Sequence, residues 1–323
     1  MNSRASTAIC SLVGLGFVAV GTLCPLRDLR AQTQRQIPKL ERLGYPAGTK
    51  LLILHADDIG VSHSENRASF AAYRSGAISS GSVLVPCPWF PEAAAFFREH
   101  RQLDVGVHLT LTAEWKYLRW GSVAPRPEVP SLFDAEGFLY HTVDEVRKRV
   151  DAAQAERELR AQFTRAKAMG INPSHVDMHM GGVLASKEIF QAYLRVAKQF
   201  GIPATIPFQH IERRFPAYIN SIPPDEALVD QFISAVPSLK PDEWDRFYTK
   251  AIENLQPGIT QITVHLAYDD EEMQAVTIDH SDYDAAWRQR DLDFFTSKRA
   301  KELLEKNDIH LVNWRELGKL LQR

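Results

Sequence analysis

From Lys50 to the C-terminus, short apolar runs alternate with longer amphipathic stretches, and several of the apolar runs end in histidine or aspartate. Repeated strand–helix units constrain such a chain to a parallel sheet with helices outside it, either open or closed into a barrel. Strands are expected at 50–57, 82–86, 105–112, 174–180, 204–207, 261–267 and 309–312. Lys50-Leu-Leu-Ile-Leu-His-Ala-Asp57 sets the pattern, a buried-strand run that turns polar at its end. Helices are expected over 62–75, with Ser62 and Glu65 as a capping box and Gly76 as the stop, and over 92–100 behind Pro91. Further helices are expected over 143–168, 186–200, 282–306 and 314–321. Residues 115–140 hold Pro125, Pro127 and Pro130 without a period and read as a long surface loop; 208–239 read as a Pro-containing insertion. With 323 residues, 45% of them apolar and 24% charged, the chain matches one α/β domain of barrel size.

The N-terminus is a separate object. Ala8 to Leu23 form an uncharged, mostly apolar run behind Arg4 and ahead of Pro25, Arg27 and Arg30. A basic start, a short apolar stretch and a small residue at Ala31 describe a signal peptide over 1–31, followed by a linker over 32–48 and the domain over 49–323. The run is shorter than the roughly 20 residues that span a bilayer, although an uncleaved anchor is the competing reading. Export of the mature chain to the periplasm or beyond is therefore expected, with no membrane span left after cleavage. Cys87 would then be the one remaining cysteine, so no internal disulfide is expected. A net charge of −2, with no dense basic tract, gives a nucleic-acid partner no support.

Four polar clusters fall where a strand meets its loop, the edge at which α/β folds place active sites. The first is His55-Ala-Asp57-Asp58, where adjacent carboxylates at a buried strand end call for a cation or a proton. The second is Gly106-Val-His108, whose glycine permits close backbone approach. In the third, His175-Val-Asp177-Met-His179, period-2 geometry turns His, Asp and His to one face. That pattern makes sense for a metal ligand backed by a carboxylate. The fourth is Thr263-Val-His265. Taken singly, His108 and His265 read equally as satisfied core histidines. Together the clusters suit Zn²⁺, Co²⁺, Ni²⁺ or Mn²⁺ better than Ca²⁺. No Gly-x-Ser-x-Gly elbow, phosphate loop or dinucleotide fingerprint appears.

These residues resemble the YdjC-like (ChbG/HpnK) carbohydrate deacetylases. The family's opening strand is similar to Leu52-Ile-Leu-His-Ala-Asp-Asp-Ile-Gly60 with Ser62 and Asn66 behind it. Its Gly-x-His-x-x-Leu-Thr is similar to Gly106–Thr112, and its Ser-Leu-x-Asp-x-x-Gly-x-Phe loop to Ser131–Leu139, with Leu139 in place of the final Phe. Its Glu-x-x-x-Gln helix resembles Glu158 to Gln162, its Pro-Thr-His-Leu-Asp-Ser-His segment Pro173–His179, and its late histidine His265. The resemblance implies a (β/α) barrel-like fold and hydrolysis of N-acetyl groups on amino sugars or short chito-oligosaccharides, with acetate released. Carried over residue by residue, Asp58, His108 and His179 match the metal ligands, Asp57 the general base and His265 the general acid. His175 and Asp177 stand behind them. One divalent ion is implied, Zn²⁺ or Mg²⁺ first and Co²⁺, Ni²⁺ or Mn²⁺ as further candidates. The implied partner is a carbohydrate, and a homodimer is compatible with the sequence. The chain departs from the pattern at His55 (Asn in the family), Gly181 (His), Thr205 (Arg) and Leu266 (Pro). The competing functions are hydrolysis of a glycosidic or phosphate ester bond, and carbohydrate binding with weak catalysis. Trp115, Trp120, Phe208 and Tyr218 are of the type that stacks on sugars, although packing explains each as readily.

Overall fold

The computed structural model describes residues 39–321 apart from 224, 225 and 227; the expected signal segment and the start of the linker lie outside them. Seven strands form one sheet: β1 (Lys50–Ile59), β2 (Ser80–Val83), β3 (Gly106–Leu109), β4 (Val176–Met178), β5 (Gln231–Ile233), β6 (Gly258–Val264) and β7 (Ile309–Leu311). Their order is β4-β3-β2-β1-β6-β5, with β7 also on β1. Every pairing is parallel. The sheet curls into a half-barrel with helices around it, so the (β/α) barrel-like, single-domain expectation holds.

β1 is the central strand, and Leu51 to Leu54 are almost wholly buried. Seven registered pairs join it to β6, from Lys50–Gly258 to Ala56–Val264, so Asp57 and His265 emerge one step beyond the last pair. On the other side of the sheet His108 of β3 lies in register with Asp177 of β4. Register alone therefore delivers two of the four clusters to one edge.

The early helices are α1 (His63–Ser75), α2 (Phe90–Glu99), α3 (Val143–Arg149), α4 (Ala152–Ala168), α5 (Lys187–Phe200) and α6 (Phe208–Arg214). The later ones are α7 (Trp244–Glu253), α8 (Glu271–Val276), α9 (Ala285–Phe295), α10 (Lys298–Lys306) and α11 (Trp314–Leu317). Ser62 caps α1 by accepting the Glu65 amide, and Gly76 ends it in the left-handed region, both as expected. The box is only half made, because the Glu65 carboxylate turns instead to Arg288.

Several expectations are corrected. The helix expected over 143–168 is two, because Val150 is extended and Asp151 caps α4 by accepting the Gln154 amide. Ser297 divides 282–306 in the same way by capping α10. The strand expected at 174–180 ends at Met178, since Met180 and Gly181 take left-handed φ values of 52° and 68°. The strand at 204–207 reduces to one bridge between Val176 and Ala204. The insertion over 208–239 contains β5, which the proline content hid. The loop over 115–140 is no loose surface segment: Trp115, Trp120, Leu132 and Leu139 are buried. Glu158 on α4 fastens it by accepting the Val123 and Ala124 amides, while Gln162 bonds both backbone groups of Thr110. The packed body also begins before residue 49, since Leu40 is buried against a cluster holding Leu51, Trp314 and Leu320. Among the described residues no helix is long and apolar enough to cross a membrane, and Cys87 is buried and unpaired.

Gly106 is needed for a steric reason. A Cβ there would meet the His175 ring at 2.5 Å, and that ring is held against Trp314 at a centroid distance of 5.0 Å. Gly106→Ala is expected to destabilise the protein by about 1–3 kcal/mol, the scale of an overpacked core. Urea unfolding would read the loss, and an unchanged midpoint would contradict it.

Candidate metal and catalytic site

Adjacent residues of a strand point to opposite faces, so Asp57 and Asp58 cannot serve one site unless the strand breaks between them. The structure places that break at Asp58 itself, which takes φ 64°, and the β1–β2 register shifts between Ala56 and Ile59. Left-handed backbone at a non-glycine residue stores strain and concentrates at functional sites. Both carboxylates consequently face His108 Nε2, at 3.8 Å from Asp57 Oδ2 and 3.3 Å from Asp58 Oδ1.

His179, just past β4, completes a cluster. Its Nδ1 lies 3.2 Å from the same Asp58 Oδ1. Each imidazole is oriented from behind by a carboxylate: Asp177 Oδ1 accepts from His108 Nδ1 at 2.8 Å, and Glu114 Oε2 lies 2.9 Å from His179 Nε2. Asp177 is itself fixed by Ser82 Oγ at 2.7 Å. Carboxylates behind ligand histidines set the tautomer and aim the lone pair.

The donor set fits a divalent ion. Asp58 Oδ1 is a buried carboxylate oxygen that meets no partner in hydrogen-bond geometry. Its 3.2 and 3.3 Å separations from the two imidazole nitrogens match the edge of about 3.3 Å made by tetrahedral ligands about 2.0–2.1 Å from a shared ion. One oxygen and two nitrogens, all buried, are Zn²⁺-like donors.

Arg288 of α9 compensates the remaining charge. Its guanidinium reaches Asp58 Oδ2 at 2.9 Å and Glu65 Oε1 at 2.6 Å, all three being nearly fully buried. Burial alone would raise Asp58, but Arg288 and the two histidines hold it well below the usual carboxylate range. Burial works against a charged His108, yet Asp177 and then Asp57 outweigh it and keep the imidazole well above its ordinary value. The same contest at His179, led by Glu114, ends at about 9.

His265 closes the far side, with Nε2 at 4.0 Å from Asp57 Oδ2 and 3.9 Å from Asp58 Oδ2. Its backbone amide donates to Asp291 Oδ2 at 3.0 Å, while Asp291 Oδ1 takes the Trp244 indole at 2.9 Å and the Tyr248 hydroxyl at 2.7 Å. The ring packs against Tyr283 at 4.7 Å between centroids. Burial, opposed by Asp58, pushes His265 down to about 4. Asp57 and His265 side chains are 15% and 14% exposed, against 3% for Asp58, so these two groups alone of the central five reach the opening.

Sequence reasoning brought Asp57, Asp58, His108, Asp177, His179 and His265 together, and the structure places all six at one strand-end site. His175 lies one step behind, reached through His55. Four residues were missed: Glu65, Glu114, Arg288 and Asp291. Arg288 and Asp291 share a stripe of α9 with Ala285, Leu292 and Phe295, and charges on a buried stripe were the available signal. Glu114 follows Thr112 by two residues in an aperiodic loop and carries no such signal. Trp115 and Trp120 belong to the packing, Trp115 lying beneath Arg288 and Trp120 donating to Thr112 O.

The fold and site define a half-barrel protein with an Asp/His centre at the strand ends. The chain belongs to the family described as YdjC-like protein, which matches residues 51–306. A carbohydrate deacetylase of Thermus thermophilus is 30% identical over 292 residues, covering 87% of this chain and 98% of its own. One from Brevibacillus brevis is 31% identical over 270 residues, covering 83% and 99%. A crystal structure from Enterococcus faecalis V583, described as a cellobiose-phosphate cleavage protein, is similar at a TM-score of 0.71 and 25% identity, covering 83% of this chain and 99% of its own.

Removing one partner of a buried charge group strands the others. In the metal-free protein Arg288→Met is expected to cost about 3–5 kcal/mol in urea unfolding. Arg299→Met breaks an ion pair with Asp245 whose side chains are 53% and 67% exposed, and its cost should stay below about 1 kcal/mol. Equal losses in the two variants would contradict the account.

Proposed function

We propose that the protein removes N-acetyl groups from amino sugars or short chito-oligosaccharides by hydrolysis, releasing acetate, with one divalent ion held by Asp58, His108 and His179. The observation that carries this reading is the left-handed Asp58, which turns two adjacent carboxylates to one centre while, of the two, Asp57 is the more exposed beside His265. Family membership and the relatives named carbohydrate deacetylase support the substrate class.

When bound, the ion supplies Lewis acidity to the amide carbonyl and to the attacking water. Asp57 Oδ2 takes the proton from that water as it attacks the carbonyl carbon. His265 is neutral at pH 7 and so starts as an acceptor. It receives the proton at Nε2 from Asp57, 4.0 Å away, and delivers it to the amide nitrogen as the C–N bond breaks. Acetate and the free amino sugar result. Asp177 and Glu114 keep the ligand imidazoles aimed, and Arg288 holds the Asp58 carboxylate ionised. The proposal includes export, which rests on the segment before residue 32 alone and is read by the N-terminal sequence of the mature protein.

Acetate release from N-acetylated chito-oligosaccharides, with and without chelator, tests the reading; cleavage of a glycosidic or phosphate bond instead would replace it. Asp57→Asn is expected to keep stoichiometric metal and lose about 10²-fold or more in kcat, the scale of a lost general base. Asp58→Asn should lose metal and rate together. Reversed behaviour of the two variants exchanges their roles.

Metal binding should also release protons. In the metal-free protein His108 lies well above its ordinary value and His179 at about 9, so both carry protons at pH 7 that an ion must displace. Affinity should therefore rise as pH increases from 7 toward 9. Calorimetric titrations in buffers of different ionisation enthalpy should report more than one proton released per ion at pH 7. Release of none would contradict the ligand assignment.

A further inference from the structure

His55 is wholly buried and stands where the family pattern has asparagine. Its ring meets three groups, the third being Asp177 Oδ2 at 3.5 Å from Nε2. Nδ1 lies 2.9 Å from Asp57 Oδ1, and Nε2 lies 2.9 Å from His175 Nε2. The line continues from His175 Nδ1 to Ser174 Oγ, again 2.9 Å away. His175 cannot move, being stacked on Trp314 and flush against Gly106.

Proton counting fixes the direction of this chain. A neutral imidazole offers one N–H and one lone pair. With the Ser174 hydroxyl donating to His175 Nδ1, His175 Nε2–H donates to His55 Nε2, and His55 turns Nδ1–H toward the Asp57 carboxylate. The two 2.9 Å contacts of the His55 ring are then complementary without a second proton on either histidine, the one mismatch being Asp177 Oδ2 at 3.5 Å from His55 Nε2. In the opposite direction Ser174 Oγ donates to Val105 O at 3.1 Å, and a neutral His55 sets a lone pair against a carboxylate oxygen 2.9 Å away. That arrangement needs an additional buried proton and its charge, which burial disfavours. Val105 O already accepts the Ser174 amide at 2.9 Å, so it does not need the hydroxyl.

We infer that His55 is a positioning residue for Asp57: a neutral Nδ1–H donor, locked by His175 and Ser174, that holds Asp57 Oδ1 and leaves Oδ2 aimed at the opening. The inference rests on Asp57 being the base of the proposed reaction. In the free protein the Asp57 contact does not meet hydrogen-bond geometry, as is common for catalytic contacts before substrate binds. An asparagine amide would supply a donor at the same side of Asp57 without the link to His175, whereas an apolar side chain of similar size would supply none.

Two variants and one spectrum test this. His55→Leu should lose about 10²-fold in kcat, the scale of a misaimed reacting group, with KM and metal stoichiometry unchanged. His55→Asn should restore kcat to within about tenfold of wild type. Independently of activity, the ¹⁵N imidazole spectrum of the metal-free protein should show His55 as the neutral Nδ1–H tautomer, perturbed by Asp57→Asn. If wild type releases no acetate, the functional reading fails while the spectrum still decides the tether. Full activity in His55→Leu, equal losses in the Leu and Asn variants, or an Nε2–H tautomer would overturn the inference. So would a second equivalent of metal that His55→Asn abolishes, because His55, His175 and Asp177 would then hold an ion rather than a proton chain.

Discussion

The site depends on one backbone torsion. A strand that kept its alternation through Asp58 would send one of the two adjacent carboxylates to the wrong face. The φ of 64° at Asp58 ends that alternation and turns both toward His108. Such a conformation costs of order 1–3 kcal/mol at a non-glycine residue and persists only where its surroundings over-determine it. Here Arg288 grips Asp58 Oδ2, and two imidazole nitrogens face Oδ1.

Concentrating carboxylates in a dry site creates a charge problem that the rest of the fold is arranged to meet. Asp57, Asp58, Glu65, Glu114 and Asp177 converge with one guanidinium and four imidazoles, those of His55, His108, His179 and His265. The cations come from elements distant in the chain, so helix α9 must dock on β1 and α1 before Asp58 is compensated. A divalent ion, if held as proposed, would suit this imbalance better than protons on histidines do, because it would replace protons with a directional bond to each ligand.

The same economy governs the elements around the centre. The β3–β4 register sets His108 beside Asp177, and the β1–β6 register sets Asp57 beside His265, so the sheet supplies alignment without dedicated contacts. Side chains then fix what register leaves loose: Asp291 holds the end of β6, Glu158 and Gln162 hold the segment after β3, and His175 braces His55 behind Asp57.

The sequence by itself determined the alternating parallel architecture and the six residues at the strand ends, because buried runs and short-period polar clusters are local properties of the chain. The caps at Ser62 and Gly76 were equally legible, since each depends on its own few residues. The tertiary structure decided where those elements stop. The break at Val150, the extra strand β5 and the short β4 follow from competing caps and neighbours that no local period encodes. It also decided which residues compensate the centre: Arg288 lies 230 positions from Asp58, and Glu114 sits in an aperiodic segment. Charge compensation acts through space over a few ångströms, and only the fold sets which distant side chains come that close.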